Sequence, residues 1–316
     1  MGVRLAERVI ANLPADTERV VLDADDTDDP CHGQQEFELF NGYYGEHCYK
    51  PLYIHLTAQD GRQWLLGALL RPGNSCATKG LLAALRITLR LLRSRFPEVA
   101  ITLRGDSAFG IWDIMEFCEE MRLDYVLGLN RNKALDMLSS PTQMDTALKY
   151  KYEGEGCREY GEFGYRAKTW DGERRVVVRS EITRHELSAR FVVASFKHKT
   201  PEEVYAFYCQ RANQENRIKE MKLDLASGRT SCHRFLANQY RLLSHAAACA
   251  LMGVLQEALV GTRWAGAQVG TIRLRLLKVG ARVMQTCRKI WFHLPTSYTE
   301  QDIWRHIHRS LAAGSA

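Results

Sequence analysis

Val20-Val21-Leu22-Asp23-Ala24-Asp25 reads as a short buried strand that ends in carboxylates. Two more strands are expected after it, at Leu52–Thr57 and Gln63–Leu70, separated by Gly and Asp turn signals. Leu81, Leu82, Leu85 and Leu89 then recur at helical spacing, which predicts a helix over about Lys79–Arg93. A strand at Val99–Leu103 runs into Arg104-Gly105-Asp106. A helix over about Ile111–Met121 and a strand at Tyr125–Leu129 complete the series.

Three strands, a helix, a strand, a helix and a strand is the order of a ribonuclease-H-like α/β domain, a mixed sheet flanked by helices. A doubly wound fold would alternate strand and helix from its start, so the opening meander discriminates between them. Residues 130–200 change character. Tyr160–Thr169, Arg174–Ser180 and Arg190–Phe196 read as strands of a β-rich insertion. Helix is expected from Pro201 to about Leu225, and again over Phe235–Leu259. Ile272–Val279 and Ala281–Leu294 alternate like a basic hairpin hinged at Gly280. The expected organisation is therefore a first core part at 1–129, the insertion at 130–200, the core helices at 201–260, and a basic hairpin with tail at 261–316.

Composition narrows the class. At 316 residues, with 46% hydrophobic and 25% charged residues, the chain can bury a full core, and disorder is excluded. No apolar run reaches the ~20 residues that span a bilayer, so no membrane partner is expected. Nine cysteines, scattered from Cys31 to Cys287 without a C-x-x-C pair, argue against a disulfide framework or a zinc site and for a reducing cytoplasm. Net charge is +6, divided as −6 over 1–129, +4 over 130–200 and +8 over 201–316. An acidic first third and a basic last third suit a metal site acting on phosphates. Solvated surface explains the same asymmetry.

Tyr208, Arg211, Glu215 and Lys222 stand at offsets 0, 3, 7 and 14. At ~100° per residue all four fall within about a 60° arc of one helix face. Arg211 and Glu215 alone would also make an ordinary i,i+4 ion pair. Asp25 closes the first strand and Asp106 follows the strand at Val99–Leu103; neighbouring strands would bring both to one sheet edge. Acidic residues at strand ends are common turn formers, and either Asp alone is more often an Asx-turn or N-cap than a ligand. Asp23 shares the strand face of Asp25, whereas Asp26 points away. Converging carboxylates repel unless a cation sits among them, and Mg²⁺, a hard ion, takes oxygen ligands.

The run Leu22-Asp23-Ala24-Asp25-Asp26-Thr27-Asp28-Asp29-Pro30-Cys31-His32-Gly33-Gln34-Gln35 resembles the first acidic motif of DDE transposases of the insertion-sequence 1380 group, within the insertion-sequence 4 superfamily. There the catalytic Asp stands two residues before a Thr or Ser, which selects Asp25 over Asp23. Arg104-Gly105-Asp106-Ser107-Ala108-Phe109 resembles the second motif, and Tyr208, Arg211, Glu215 and Lys222 fit the superfamily's Y-x2-R-x3-E-x6-K pattern without a mismatch. Arg229-Thr230-Ser231-Cys232-His233-Arg234-Phe235 is also similar to the group. The likeness covers nearly the whole chain, but only about twenty residues precede Asp23, where family members carry a longer N-terminal region.

The resemblance implies that Asp25, Asp106 and Glu215 are catalytic and hold two Mg²⁺ ions, with Mn²⁺ able to substitute. It implies strand cleavage and strand transfer on double-stranded DNA, at inverted-repeat ends and target, by a homodimer in a bacterial, nucleoid-associated setting. Tyr208, Arg211 and Lys222 would contact DNA near the site. Arg273, Arg275 and Lys278, with Arg282, Arg288 and Lys289, make a basic ribbon suited to phosphates, or equally a charged edge that discourages strand pairing. Two rivals stand beside this reading: a truncated, catalytically silent regulator of transposition, and a ribonuclease-H-like nuclease that cuts without joining.

Overall fold

A computed structural model of the chain describes residues 2–154, 156–183 and 186–313. It divides into two compact units, one running to Glu215 and including Thr230–Leu243, the other made of Asn216–Arg229 and Ser244 onward.

The chain opens with helix α1 (Gly2–Ala11) and strand β1 (Arg19–Asp26), followed by the short strands β2 (Asp29–Pro30), β3 (Leu39–Asn41) and β4 (Glu46–Tyr49). Next come β5 (Leu52–Ala58), β6 (Gln63–Leu69), α2 (Leu81–Arg95), β7 (Ala100–Gly105), α3 (Trp112–Glu120) and β8 (Asp124–Leu129). Then follow α4 (Lys133–Leu138), α5 (Ser140–Glu153), β9 (Arg158–Tyr165), β10 (Arg174–Thr183) and β11 (Glu186–Ala194). Helices α6 (Pro201–Cys209), α7 (Ala212–Leu223) and α8 (Phe235–Ala258) lead to a terminal region of α9 (Val269–Ile272), β12 (Arg282–Gln285), β13 (Ile290–His293) and α10 (Gln301–Ala313).

Eight strands form one mixed sheet in the order β6-β5-β1-β7-β8-β11-β10-β9. β1, β7 and β8 run parallel, and β5 and β6 are antiparallel additions on one side. That arrangement of the first five long strands is compatible with a ribonuclease-H-like domain. Residues 130–200 continue the same sheet, because β11 pairs antiparallel with β8. They also contain two helices that the sequence did not suggest. Of α5's side chains only Thr146 is buried, so no apolar stripe betrays it.

Period-2 alternation decides which side chains meet which helices. Leu22, Ala24, Ile54, Leu56, Ile101, Leu103, Tyr125 and Leu127 join the large core that takes in α1, α2 and α3. Their alternates Val126, Val177 and Val192 pack with Val204 and Tyr205 of α6 on the opposite face. Asp23, Asp25, His55 and Arg104 belong by the same alternation to the α6 side. The acids therefore sit on the face that α6 and the start of α7 cover, and the aliphatic residues between them anchor the strand from the other side.

A continuous helix from Pro201 to Leu225 is not what forms. Helix α6 starts on a capping box, with Thr200 and Glu203 bonding each other's backbone and Pro201 in the first turn. It ends at Cys209, and α7 starts at Ala212. Unbroken α-helix would send the Arg211 N–H to the Phe207 carbonyl four residues back. That carbonyl instead accepts from Arg104 NH1 at 2.6 Å, and Arg211 N–H turns to Tyr208 O at 3.0 Å. A side chain from β7 has taken the acceptor, and the helix breaks there.

In the second unit, Met252, Leu259, Val269, Ile272, Leu276, Ile303 and Ile307 form a small core with Trp264 and Trp304. The segment read as the strand Ile272–Val279 is helical: α9 continues into a π-helical turn over Arg273–Leu277. Val269, Ile272 and Leu276, at spacings of three and four, fit a helix face as well as alternation fits a strand. Only the second half of the expected ribbon forms a hairpin, with Arg282 opposite His293 and Gln285 opposite Ile290. Among the described residues no helix is long and apolar enough to cross a membrane.

Candidate active site

Asp23 and Asp25, two residues apart on β1, meet different fates. Asp23 is fully buried and paired with Arg104, whose Nε donates to Oδ1 at 2.5 Å and NH2 to Oδ2 at 3.0 Å. Thr57 Oγ1 donates to the same carboxylate at 3.1 Å. The Arg104 guanidinium also lies 5.0 Å from the centre of the Phe207 ring, so one cation ties β1 and β7 to α6. Gln214 adds a second tie: its Nε2 donates to the Asp23 carbonyl at 3.0 Å and lies 3.3 Å from His55 Nδ1. This buried network fixes the first turn of α7 against the strand.

Asp25 emerges one turn of the pleat further on. Arg211, in the joint between α6 and α7, reaches it with NH1 3.4 Å from Oδ2, and the other arm donates from NH2 to Glu215 Oε1 at 2.5 Å. One guanidinium thus bridges a strand-end carboxylate and a helix carboxylate. NH1 is buried and lacks a hydrogen-bond partner of good geometry among the described residues. Burial pushes the Asp25 carboxyl up to about 7; Arg211 opposes this, while Asp106, Asp26 and Glu215 add to it as like charges. Burial also raises Asp106, against the hydrogen bond its Oδ1 accepts from Ala108 N–H at 2.9 Å.

Tyr208 packs beside Asp106. It is mostly buried, and burial holds its phenol above the usual range. Gly128, at the end of β8, makes room for it: a Cβ there would lie 2.8 Å from the Tyr208 hydroxyl, 2.8 Å from Ser107 N and 3.0 Å from Asp106 C. Gly128→Ala is therefore expected to cost about 1–3 kcal/mol by overpacking. A urea unfolding midpoint indistinguishable from wild type would show that the Tyr208–Asp106 packing is looser than this geometry.

Asp25, Asp106, Tyr208, Arg211 and Glu215 lie together in the first unit, as the sequence motifs suggest, although not on one continuous helix face. Lys222 belongs to the second unit. There, Arg273 NH1 donates to Asp224 O at 2.8 Å, and Arg275 NH2 donates to Glu300 at 2.9 Å. Sequence reasoning did not anticipate Arg104, Gln214 and His55, or the clamp that Arg71 and Lys50 place on Asp26. A lone Arg at a strand end carries no signal of a partner 81 residues away.

No three acidic, His or Cys side chains among the described residues lie close enough to form a metal-binding group. The donor set nevertheless fits a hard divalent ion: Asp25, Asp106 and Glu215 offer only carboxylate oxygens, and Arg211 is a positive charge already balanced against two of them.

The strand order, with acids at the ends of the parallel strands β1 and β7, defines a mixed α/β domain with an acidic strand-end site. The chain belongs to the transposase DDE domain group 1 family, whose model matches residues 1–315. Comparison with curated proteins finds no match. Among solved structures, a Marinitoga piezophila Argonaute in complex with a 5′-hydroxyl guide RNA and target DNA is 11% identical, with a TM-score of 0.29 over 60% of this chain. The chain spans about a quarter of that Argonaute, 25%.

Proposed function

We propose that this chain cleaves and rejoins DNA at the inverted-repeat ends of an insertion sequence of the 1380 group, with Asp25, Asp106 and Glu215 as its catalytic carboxylates. The observation that carries the reading is the junction made by Arg211, which gathers Asp25 and Glu215 from separate elements beside Asp106. Membership of a transposase DDE family supports the same assignment.

The three carboxylates would hold two Mg²⁺ ions, or Mn²⁺ in their place. When bound, the metal supplies charge that activates a water or 3′-hydroxyl and steadies the departing oxygen. The protein's own part is positional. The Asp23–Arg104 pair and Gln214 keep β1 and α7 in register, so that carboxylates from two elements share one site. Arg211, with an N–H group that lacks a good acceptor, is placed to give that group to a phosphate oxygen. Tyr208 shapes the floor beside Asp106. Lys222 and Lys278 would meet the duplex backbone as point charges. Two DNA ends are held together in a homodimer.

The test uses a short duplex bearing the element end. Mg²⁺ is expected to give a nick at the boundary, Ca²⁺ none, and pre-cleaved ends are expected to join to a circular target. Nicking without joining would reassign the protein as a nuclease. Binding without nicking would leave a regulator.

Arg211→Gln separates two duties of that side chain. Removing a cation that competes for Asp25 and Glu215 is expected to tighten Mn²⁺ binding roughly tenfold, about 1.4 kcal/mol. Calorimetric titration reads this directly. Weaker Mn²⁺ binding would mean that Arg211 organises the carboxylates and does not compete for them.

A further inference from the structure

Between Glu257 and Glu300 the chain carries no acidic residue and seven basic ones. Arg263 is spent on Glu300 and Asp302, Arg275 on Glu300, and Arg273 caps Asp224 O. The hairpin of β12 and β13 keeps Arg282, Arg288 and Lys289, with His293 opposite Arg282. Its register puts Val283, Gln285, Ile290 and Phe292 on one face, and Arg282, Met284, Trp291 and His293 on the other. Both faces are exposed: Phe292 is 69%, Ile290 58% and Val283 56% accessible on one, Trp291 50% and Met284 43% on the other. Lys289 Nζ lies 5.6 Å from the centre of the Trp291 ring.

A two-stranded ribbon with exposed large apolar groups on both faces, three of them on the Val283–Phe292 face, and cations at its ends is unusual for a surface that meets only water. A second copy of the same ribbon would bring cation against cation with no anion to offset them. A nucleic-acid duplex supplies both missing complements: phosphates for Arg282, Arg288 and Lys289, and base edges and methyls for the apolar face. A two-stranded β-ribbon is also one of the shapes that the major groove admits.

We infer that the Arg282–His293 hairpin is a duplex-DNA-binding ribbon, lying along the groove with its cations on the flanking phosphates. This rests on the reading of the chain as a DNA transposase, and it moves the expected basic contact from Arg273 and Arg275 to the hairpin itself.

The test is binding of the full chain to a short random-sequence duplex, with chelator present so that no cleavage occurs, across a salt series. For Arg282→Gln/Arg288→Gln/Lys289→Gln the slope of log K against log salt is expected to shrink by about 2 to 3, at ~0.9 per phosphate contact. Affinity at about 0.1 M salt should then fall on the order of 10²-fold. The comparison variant Arg8→Gln/Arg90→Gln/Lys151→Gln removes equal charge elsewhere and should leave the slope unchanged. Ile290→Ala, which keeps every charge and trims the Val283–Phe292 face, should weaken binding with the slope intact, so a misfolded triple variant does not decide the matter.

Equal losses in the two triple variants would overturn the proposal, as would wild-type binding in both hairpin variants. So would a Phe292→Ser chain that changes from dimer to monomer in sedimentation yet binds DNA as wild type does, since the face would then belong to a second copy. If wild type binds through the hairpin but never nicks, the ribbon stands and the catalytic reading falls. If wild type nicks and the hairpin variants bind normally, the reverse holds.

Discussion

Glu215→Gln is expected to slow Mg²⁺-dependent nicking by roughly 10³-fold or more, the loss of several kcal/mol of metal-borne stabilisation in the transition state. The substitution keeps the shape of the side chain and removes one charged oxygen. Glu215 is more open than Asp25, with its side chain 43% accessible against 11%. Little desolvation is relieved and no core contact is lost, so stability should stay near wild type. Duplex binding should likewise persist. Single-turnover nicking beside a binding isotherm distinguishes these effects. A nicking rate within tenfold of wild type would remove Glu215 from the catalytic set and leave Asp25 and Asp106 without their helix partner.

Arg104→Met should produce the largest change in stability. It leaves the Asp23 carboxylate fully buried with its cation gone, and breaking one side of a buried pair costs roughly 3–5 kcal/mol. A second consequence follows from the backbone. With the Phe207 carbonyl released, the Arg211 N–H regains its natural acceptor, and α6 and α7 are free to fuse. Denaturant unfolding reads the first effect, and a gain of helical ellipticity in the surviving fold reads the second. The double variant Arg104→Met/Asp23→Leu should recover most of the stability but not the helix break. A single variant as stable as wild type would mean that the buried Asp23–Arg104 pair contributes little to the fold.

The long strands of the first unit were readable because each presents a short apolar run with period-2 alternation, punctuated by Gly or Asp, whereas the short strands β2, β3 and β4 carry no such run. Residues 20–25, 52–57, 63–70 and 99–103 all lie where the pattern puts them. Tyr208, Arg211 and Glu215 were picked out by spacing, and the fold does bring them together. The geometry behind the spacing was not readable. A helical wheel assumes an unbroken helix, and the break comes from Arg104, a residue 103 positions from the carbonyl it captures. No local rule sees such a donor. The helix at Arg273–Leu277 escaped for a different reason: a short run with apolar residues at both two- and four-residue intervals satisfies either period. Helices α4 and α5 escaped because they bury almost nothing apolar.

Four of the five aspartates in the acidic run of the chain's first motif go, in the folded molecule, to different partners. Asp23 goes to Arg104, Asp25 to Arg211, Asp26 to Arg71 and Lys50, and Asp29 to the Thr230 hydroxyl at 2.6 Å. Seven consecutive positions thereby reach the sheet interior, the α6–α7 joint, the loop after β6 and the segment before α8. A genetic screen randomising this stretch would not sample one electrostatic patch. It would sample four sets of partners at once, and second-site suppressors recovered for Asp23, Asp25, Asp26 and Asp29 should sort to four different stretches of the sequence.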